Sequence, residues 1–122
     1  MKRAFRLTRS LDYKRVRLTG KSFAHPLLVL IVAPAFDDQE VKLGITAGRS
    51  VGNAVNRNRA KRRLRACVDR YLCRIQPGWD IIVIARQPLI TASFDTIQTV
   101  FEKLLQKSKV LKEESTESAH IS

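Results

Sequence analysis

The sequence predicts a single α+β domain, a sandwich in which helices pack on one four-stranded sheet in the order α-β-β-β-α-β-α. Two apolar runs rich in β-branched residues, at 27–33 and 79–85, have the length and composition of buried strands. Between them, apolar residues recur at helical spacing from about Asn53. The chain of 122 residues has the size of one domain. We expect residues 1–111 to form it and residues 112–122 to be a disordered tail.

Local signals set the limits of the first elements. Ser10 is the predicted N-cap of a first helix, and Gly20 ends that helix. A short extended piece over 21–25 precedes the first apolar run, and apolar residues alternate with polar ones over 41–48. Residues 37–39 have the composition of a turn, so the two runs could pair as a hairpin.

The second half of the chain contains two helices and a strand. The longer helix runs from about Asn53 to Arg74, where Pro77 and Gly78 break it. Its predicted buried stripe consists of Ala60, Leu64, Cys67, Val68 and Tyr71. A last helix starts near Thr91 or Ser93 and buries a stripe of Ile97, Val100, Phe101, Leu104 and Leu105. The third strand, the long helix and the last strand could form a βαβ unit, for which the general rule predicts a right-handed crossover.

Composition excludes several classes of protein. The longest apolar run has seven residues, whereas a membrane-spanning helix needs about 18. No apolar segment follows the basic N-terminus as a signal peptide requires, so we expect a cytoplasmic protein. Cys67 and Cys73 are six residues apart and lie on different helix faces, so we expect two reduced thiols that behave as small buried hydrophobes.

The positive charge is concentrated in two blocks. The whole chain has 23 Lys and Arg against 11 Asp and Glu, a net charge of +12. Residues 1–21 contain eight basic side chains against one acid, and residues 57–74 contain the same numbers. Because repulsion within such blocks costs stability, they indicate a polyanionic partner. Arginine dominates the second block and favours bidentate contact with phosphate.

No enzymatic site is predicted in the protein itself. The serines lack a histidine that the sequence could assign as their base, and neither histidine has a ligand at metal-binding spacing. The segment 48–52 contains two glycines but lacks the spacing and the ending of a phosphate-binding loop. We therefore expect no catalytic residue, no metal ligands and no organic cofactor.

The most restrictive pattern lies within residues 52–65. It has the order Arg57-Asn58-Arg59, one spacer, Lys61-Arg62, two spacers and Arg65. This order resembles the signature of the bacterial ribonuclease P protein subunit. Segments 12–22, 42–46 and 82–88 resemble other parts of that family in the same order, so the resemblance covers about residues 5–110.

The resemblance implies a function that composition alone does not show. The family's partner is a large catalytic RNA, and the holoenzyme removes the 5′ leader of precursor tRNA to give the mature 5′ end. The resemblance implies that the RNA performs the chemistry and that Mg²⁺ is held mainly by the RNA and the substrate. It also implies a left-handed βαβ crossover in place of the right-handed one. Neither a membrane nor an obligate protein partner is expected.

The resemblance also implies two groups of site residues. The RNA-facing group consists of Arg49, Arg57, Asn58, Arg59, Lys61, Arg62, Arg63, Arg65 and Arg86. The second group lines a cleft for the leader, where Tyr13 matches an aromatic residue of the family while Arg17 and Ile31 replace aromatic ones. Ser50 and Gln87 stand where basic residues are frequent. Since stacking contributes about 1–3 kcal/mol per base, we expect this cleft to depend more on charge and less on stacking.

Two other classes of protein fit parts of the pattern. A ribosomal-type structural RNA-binding protein with no processing role explains the charge, the size and the fold class equally well. A DNA-binding or membrane-surface protein with a basic amphipathic helix is the other class. The ordered motif and its flanking matches favour the ribonuclease P family. Packing of the helix's apolar stripe on the sheet argues against membrane binding.

Overall fold

A computed structural model of the protein describes residues 5–35 and 40–112, and it contains the predicted elements in the predicted order. The helices are α1 (Ser10–Thr19), α2 (Ala54–Tyr71) and α3 (Phe94–Ser108), and the strands are β1 (Lys21–Ala24), β2 (Leu28–Pro34), β3 (Val41–Ala47) and β4 (Trp79–Ala85). Short 3₁₀ turns lie at Arg49–Val51, Leu72–Arg74 and Gln87–Ile90. The predicted turn at 37–39 and residues 113–122 of the predicted tail lie outside the described residues.

The four strands form one mixed sheet in the order β1-β2-β4-β3. Strand β2 pairs antiparallel with both β1 and β4, while β3 pairs parallel with β4. The predicted hairpin of β2 with β3 is therefore wrong. Both β2 and β4 are apolar on both faces, so burial favours placing them together at the centre. Strand β3 has polar residues on one face and occupies the position beside β4.

Helices α2 and α3 cover one face of the sheet. The predicted stripes of both helices are buried, as expected from their helical spacing. They pack with Leu30, Ile81 and Val83 of the central strands in one core cluster, where Phe101 is fully buried. The β3–α2–β4 unit has the predicted parallel pairing. The hand of its crossover stays a prediction.

Side-chain caps fix the starts of α2 and α3. Asn53 accepts a hydrogen bond from the Asn56 backbone N–H at 3.0 Å, and Ser93 accepts one from Thr96 at 3.1 Å. The prediction for α1 is wrong by one residue, since Arg9 occupies the N-cap position and its side chain makes no cap.

Gly20 ends α1 for a reason other than the predicted one. Its φ of −81° is open to any residue, so no left-handed cap requires glycine. A Cβ atom at this position would lie 2.5 Å from the Val16 carbonyl oxygen and 2.8 Å from that of Val32. Glycine therefore allows the end of α1 to approach β2 closely.

Helix α1 packs on the opposite face of the sheet and covers only part of it. Val16 is fully buried there in a small cluster with Leu7, Ile31, Ala33 and Ile82. This second, smaller core adds a third layer to the molecule.

An ion pair that the sequence did not reveal holds α1 in this position. Arg15 binds Asp80 of β4, and its Nη1 donates a hydrogen bond to the Pro34 carbonyl oxygen at 2.9 Å. Asp80 is only 5% exposed. A carboxylate at this depth requires a cationic partner, since desolvation without one is costly.

The two cysteines differ in environment. Both are free thiols, as predicted. Cys67 is buried, and burial raises the pKa of its thiol to about 12 against an opposing effect of Arg70. Cys73 is exposed, so the prediction that it is buried is wrong. It lies in the 3₁₀ turn after α2, where the helical periodicity that predicted burial no longer applies.

Replacing Asp80 tests the importance of the buried ion pair. We expect Asp80→Ala to lower the free energy of unfolding by about 2–4 kcal/mol, because it removes the buried carboxylate that binds Arg15, while the Arg15 guanidinium keeps its longer contact with Asp12 at 3.8 Å. Glu40→Ala is the control, since Glu40 pairs with Lys42 at 3.6 Å with both side chains largely exposed, and it should cost under about 1 kcal/mol. Urea denaturation measures both. Equal effects would contradict the assigned role of Asp80.

Candidate nucleic-acid interface

Two groups of polar and basic side chains on α2 face solvent. Arg57, Lys61 and Arg65 are spaced by four residues and form a row along one flank of the buried stripe, where all three are half-buried. We call them the flank row. Asn58, Arg59 and Arg62 lie on the outer surface of the helix and are exposed. Among the described residues, no side chain of either group makes a hydrogen bond or an ion pair with another residue of the protein.

Arg63 behaves differently and lies on the opposite flank of α2. Its Nη1 donates to the carbonyl oxygens of Leu89 at 3.1 Å and Ile90 at 2.9 Å, and its Nη2 donates to that of Ala92 at 2.6 Å. These carbonyls lie at and just after the end of the 3₁₀ turn that follows β4, and the Leu89 carbonyl also accepts a hydrogen bond from the Ala92 backbone N–H at 3.3 Å. The structure therefore shows that Arg63 binds the protein's own backbone, and its RNA-facing role stays a prediction.

The last two arginines of the basic block also bind the protein. Arg70 donates to the Gln98 side-chain oxygen at 2.7 Å, and its guanidinium lies 4.9 Å from the centre of the Phe94 ring. Arg74 pairs with Glu102 at 3.6 Å. Since Gln98, Phe94 and Glu102 belong to α3, these contacts join α2 and the 3₁₀ turn after it to α3. The basic block thus divides into side chains that bind the protein and side chains that face solvent.

Arg49 and Arg86 lie near the end of the sheet from which α2 starts. Both are exposed, and the 3₁₀ turns next to them contact each other. Arg86 lines a cavity of about 450 Å³ together with Ser50, Gln87 and His25. The His25 Nδ1 accepts a hydrogen bond from the Leu27 backbone N–H at 3.1 Å, so a neutral ring carries its proton on Nε2. Sequence reasoning did not assign His25, because no motif marks it.

Helix α1 leaves part of its face of the sheet uncovered, and we call this surface the groove. Tyr13 and Arg17, one turn apart on α1, lie at its side. Burial raises the pKa of the Tyr13 hydroxyl, while the charge of Arg17 opposes this shift. A Cβ atom at Gly44 would lie 2.2 Å from the Tyr13 hydroxyl, so the aromatic ring sits directly over this glycine of β3.

The floor of the groove differs from the prediction. Ile31 is only 7% exposed and belongs to the small core cluster under α1, so it offers little surface to a ligand. Val29 and Ile84 are opposite each other in the sheet and only partly buried, and they form the floor instead. Along each strand, Val29 and Ile84 alternate with residues of the main core, and this alternation could have placed them on the face that α1 covers only in part.

Replacing Arg63 tests its structural role. We expect Arg63→Ala to lower the free energy of unfolding by about 1–3 kcal/mol, because three carbonyl oxygens lose a charged donor. Arg59→Ala removes the same side chain from the exposed surface and should change stability by less than about 0.5 kcal/mol. Thermal or urea unfolding of the two variants distinguishes the roles. A stable Arg63→Ala protein would refute the assignment.

Comparisons with known proteins show the family of the chain. The model of the Ribonuclease P family matches residues 1–109. The ribonuclease P protein component of Herpetosiphon aurantiacus is 43% identical over 110 residues, which cover 90% of this chain and 89% of the relative. That of Chloroflexus aurantiacus is 40% identical over 112 residues, 91% of this chain and 82% of the relative.

Solved structures show the same similarity. The RNase P protein of Staphylococcus aureus superposes with a TM-score of 0.79 at 33% identity, covering 90% of this chain and all of the other. The RNase P protein of Thermotoga maritima gives a TM-score of 0.70 at 32% identity, with 88% and 97% coverage. The fold, the basic helix and these similarities together show that the chain belongs to the ribonuclease P protein family.

Proposed function

We propose that this chain, as the protein component of ribonuclease P, binds the catalytic RNA through α2 and the 5′ leader of precursor tRNA in the groove beside α1. The observation that carries the proposal is the division of charge on α2. The flank row and the outer surface of this helix offer donors to a partner, because no described residue of the protein uses them. A folded RNA supplies the phosphates that such a surface needs.

The geometry of helical RNA favours phosphate contacts for these arginines. The major groove of an RNA helix is deep and narrow, so side chains reach the backbone more easily than the base edges. Arg59 and Arg62 present planar guanidinium groups suited to two parallel hydrogen bonds with one phosphate. We propose that α2 recognises the shape of the catalytic RNA through its phosphates, with Arg49 and Arg86 extending the contact.

The groove beside α1 suits a single strand. Val29 and Ile84 provide an apolar floor, Tyr13 provides an aromatic side chain, and Arg17 provides a charge for a phosphate. A leader has unpaired bases and exposed phosphates, so it can use all of these contacts. Since Tyr13 is the one aromatic side chain that the structure identifies at this groove among the described residues, we propose that charge contributes more than stacking.

We propose that the RNA performs the cleavage and that Mg²⁺ is held mainly by the RNA and the substrate. In the described ranges, no group of three or more His, Cys, Asp or Glu side chains could hold a metal ion, so these residues do not fit a protein-bound Mg²⁺ site. The buried carboxylate of Asp80 already binds Arg15. We propose that the protein contributes binding of the catalytic RNA and of the substrate.

The cellular setting follows from the partners. We propose a cytoplasmic location, where precursor tRNA is processed, and no obligate protein partner. Within the part of the chain that the structure describes, no helix combines the length and the apolar character required to cross a membrane. The alternative of a structural RNA-binding protein without a processing role is not favoured, because the family match extends over residues 1–109.

Reconstitution tests the proposed function. The chain is mixed with a bacterial ribonuclease P RNA and precursor tRNA at low Mg²⁺, and we expect faster cleavage at the mature 5′ end. If the protein engages about six phosphates, its affinity for the RNA should fall roughly a thousandfold between about 50 and 200 mM salt. Unchanged cleavage would contradict the proposal, as would an affinity that does not depend on salt.

Two substitutions separate the proposed surfaces. We expect Arg59→Ala to weaken assembly with the catalytic RNA about tenfold and to reduce the salt slope by about one, since it removes one phosphate contact. Tyr13→Ala should mainly weaken binding of precursor tRNA to the assembled complex, by roughly five- to a hundredfold, because it removes base stacking. Filter binding measures both affinities.

The matched control for charge is Lys103→Ala, which removes an exposed cation from α3, away from both surfaces. We expect it to change neither affinity measurably. Equal effects of Arg59→Ala and Tyr13→Ala on both affinities would remove the proposed division between the surfaces.

A further inference from the structure

We infer that Arg63 is a positioning residue for RNA binding, which fixes the turn next to Arg86 to helix α2. Arg86 and the arginines on the outer surface of α2 then meet the RNA as one rigid surface. The inference rests on the proposed function, and it adds a residue that acts through the backbone of the protein. It differs from the RNA-facing role that the family resemblance implies for Arg63, since the residue needs no phosphate contact of its own.

The turn that follows β4 has an exposed first half. Arg86, Gln87 and Pro88 are exposed and border the cavity of about 450 Å³. The Arg86 backbone N–H donates a hydrogen bond to the Leu27 carbonyl oxygen at 3.0 Å, and the fully buried Leu89 belongs to the main core. These contacts hold the start and the middle of the turn, so its end depends on other partners.

The guanidinium group of Arg63 holds the end of the turn. It binds the carbonyl oxygens of Leu89, Ile90 and Ala92 at distances between 2.6 and 3.1 Å, and all three hydrogen bonds are partly buried. A guanidinium group carries five N–H donors in a fixed planar arrangement, so one side chain can bind several oxygens at once. Charge-assisted hydrogen bonds are stronger than neutral ones, and partial exclusion of water strengthens them further. The end of the turn is therefore fixed to α2.

This connection ties Arg86 to the RNA-facing part of α2. Arg63 lies on the flank of the helix opposite the flank row, and Arg59 and Arg62 lie on the exposed outer surface between the two flanks. Because Arg63 holds the turn to this helix, the side chain of Arg86 starts from a backbone that is fixed relative to these two arginines. A group that is already in position loses less conformational entropy when a partner binds. Arg63 thus raises the affinity for the RNA through Arg86.

Backbone dynamics of the free protein provide the first test. NMR relaxation of the full chain reports the order parameters of the Gln87 and Thr91 amides. We expect values near about 0.85 in the wild-type chain and below about 0.6 in Arg63→Ala, because the turn loses the anchor at its end. Arg70→Ala is the matched control, since it removes an arginine of α2 that binds α3 and not the turn, and it should leave both values unchanged.

A double-mutant cycle provides the second test and separates positioning from direct contact. Affinity for a bacterial ribonuclease P RNA is measured by filter binding, with Arg63→Ala placed in the wild-type chain and in Arg86→Ala. In the wild-type chain we expect it to weaken binding by about threefold to tenfold, the loss expected when one or two further side chains must be ordered on binding. In the chain that lacks Arg86, the same substitution should cause less than about twofold further loss, since the group that it positions is absent.

Two further variants serve as controls for the cycle. Arg70→Ala should change the affinity by less than about twofold in both chains, because salt screens a single charge that lies away from the contact. Arg63→Gln keeps a neutral donor for one carbonyl oxygen, and it replaces Arg63→Ala if that variant does not fold fully. We expect it to show the same dependence on Arg86 with a smaller loss. Circular dichroism at the temperature of the binding assay checks that each variant is folded.

Each outcome decides the inference. A mobile turn in Arg63→Ala, together with a loss of affinity that disappears in the chain without Arg86, supports it. An equal loss in both chains means that Arg63 binds a phosphate itself and overturns the inference, as does an unchanged affinity or an unchanged turn. A wild-type chain that does not bind the RNA refutes the proposed function as well, so the two failures are distinguishable.

Discussion

The buried ion pair between Arg15 and Asp80 is the interaction on which the second face of the sheet depends. It fixes α1 near the end where β4 begins, and it leaves Val29 and Ile84 toward the other end partly uncovered. A fully covered sheet would have a larger core but no groove. The protein therefore retains an ionic contact where an apolar one could pack, and the position of α1 determines the shape of the exposed surface.

The basic side chains of α2 and of the turn after it fall into two groups, those that bind other residues of the protein and those that face solvent. Arg63, Arg70 and Arg74 bind carbonyl, amide and carboxylate oxygens, mostly on or near α3, and so stabilise the packing of the two helices. The remaining basic residues of α2 have no acceptor among the described residues, and a bound polyanion would relieve their repulsion. A helix with so many arginines can therefore be both a structural element and a binding surface.

Much of the fold follows from local pattern in the sequence. The two helical stripes, the strand Trp79–Ala85 and the helix starts predicted near Asn53 and Ser93 agree with the structure because each depends on nearby residues. The pairing of β2 with β4 could not be predicted from local pattern, since it depends on which strands are buried on both faces.

The candidate site shows the same limit. The motif on α2 identified the basic surface. It could not distinguish Arg63 from the arginines that face solvent, because the acceptors of Arg63 lie about 26–29 residues away in the chain. Ile31 was assigned to the groove by the family resemblance, although contact with α1 buries it.

The most direct measurement of the two-surface arrangement is cleavage of RNA by a tethered reagent. Iron-EDTA is attached at Val55→Cys on the outer surface of α2 or at Thr46→Cys, opposite Ile84 in the sheet, in a chain carrying Cys73→Ser. Native Cys67 does not interfere, because it is buried and its pKa is raised to about 12. The account predicts that the reagent at position 55 cuts the catalytic RNA and that the one at position 46 cuts the leader. Identical cleavage patterns from the two positions would contradict it.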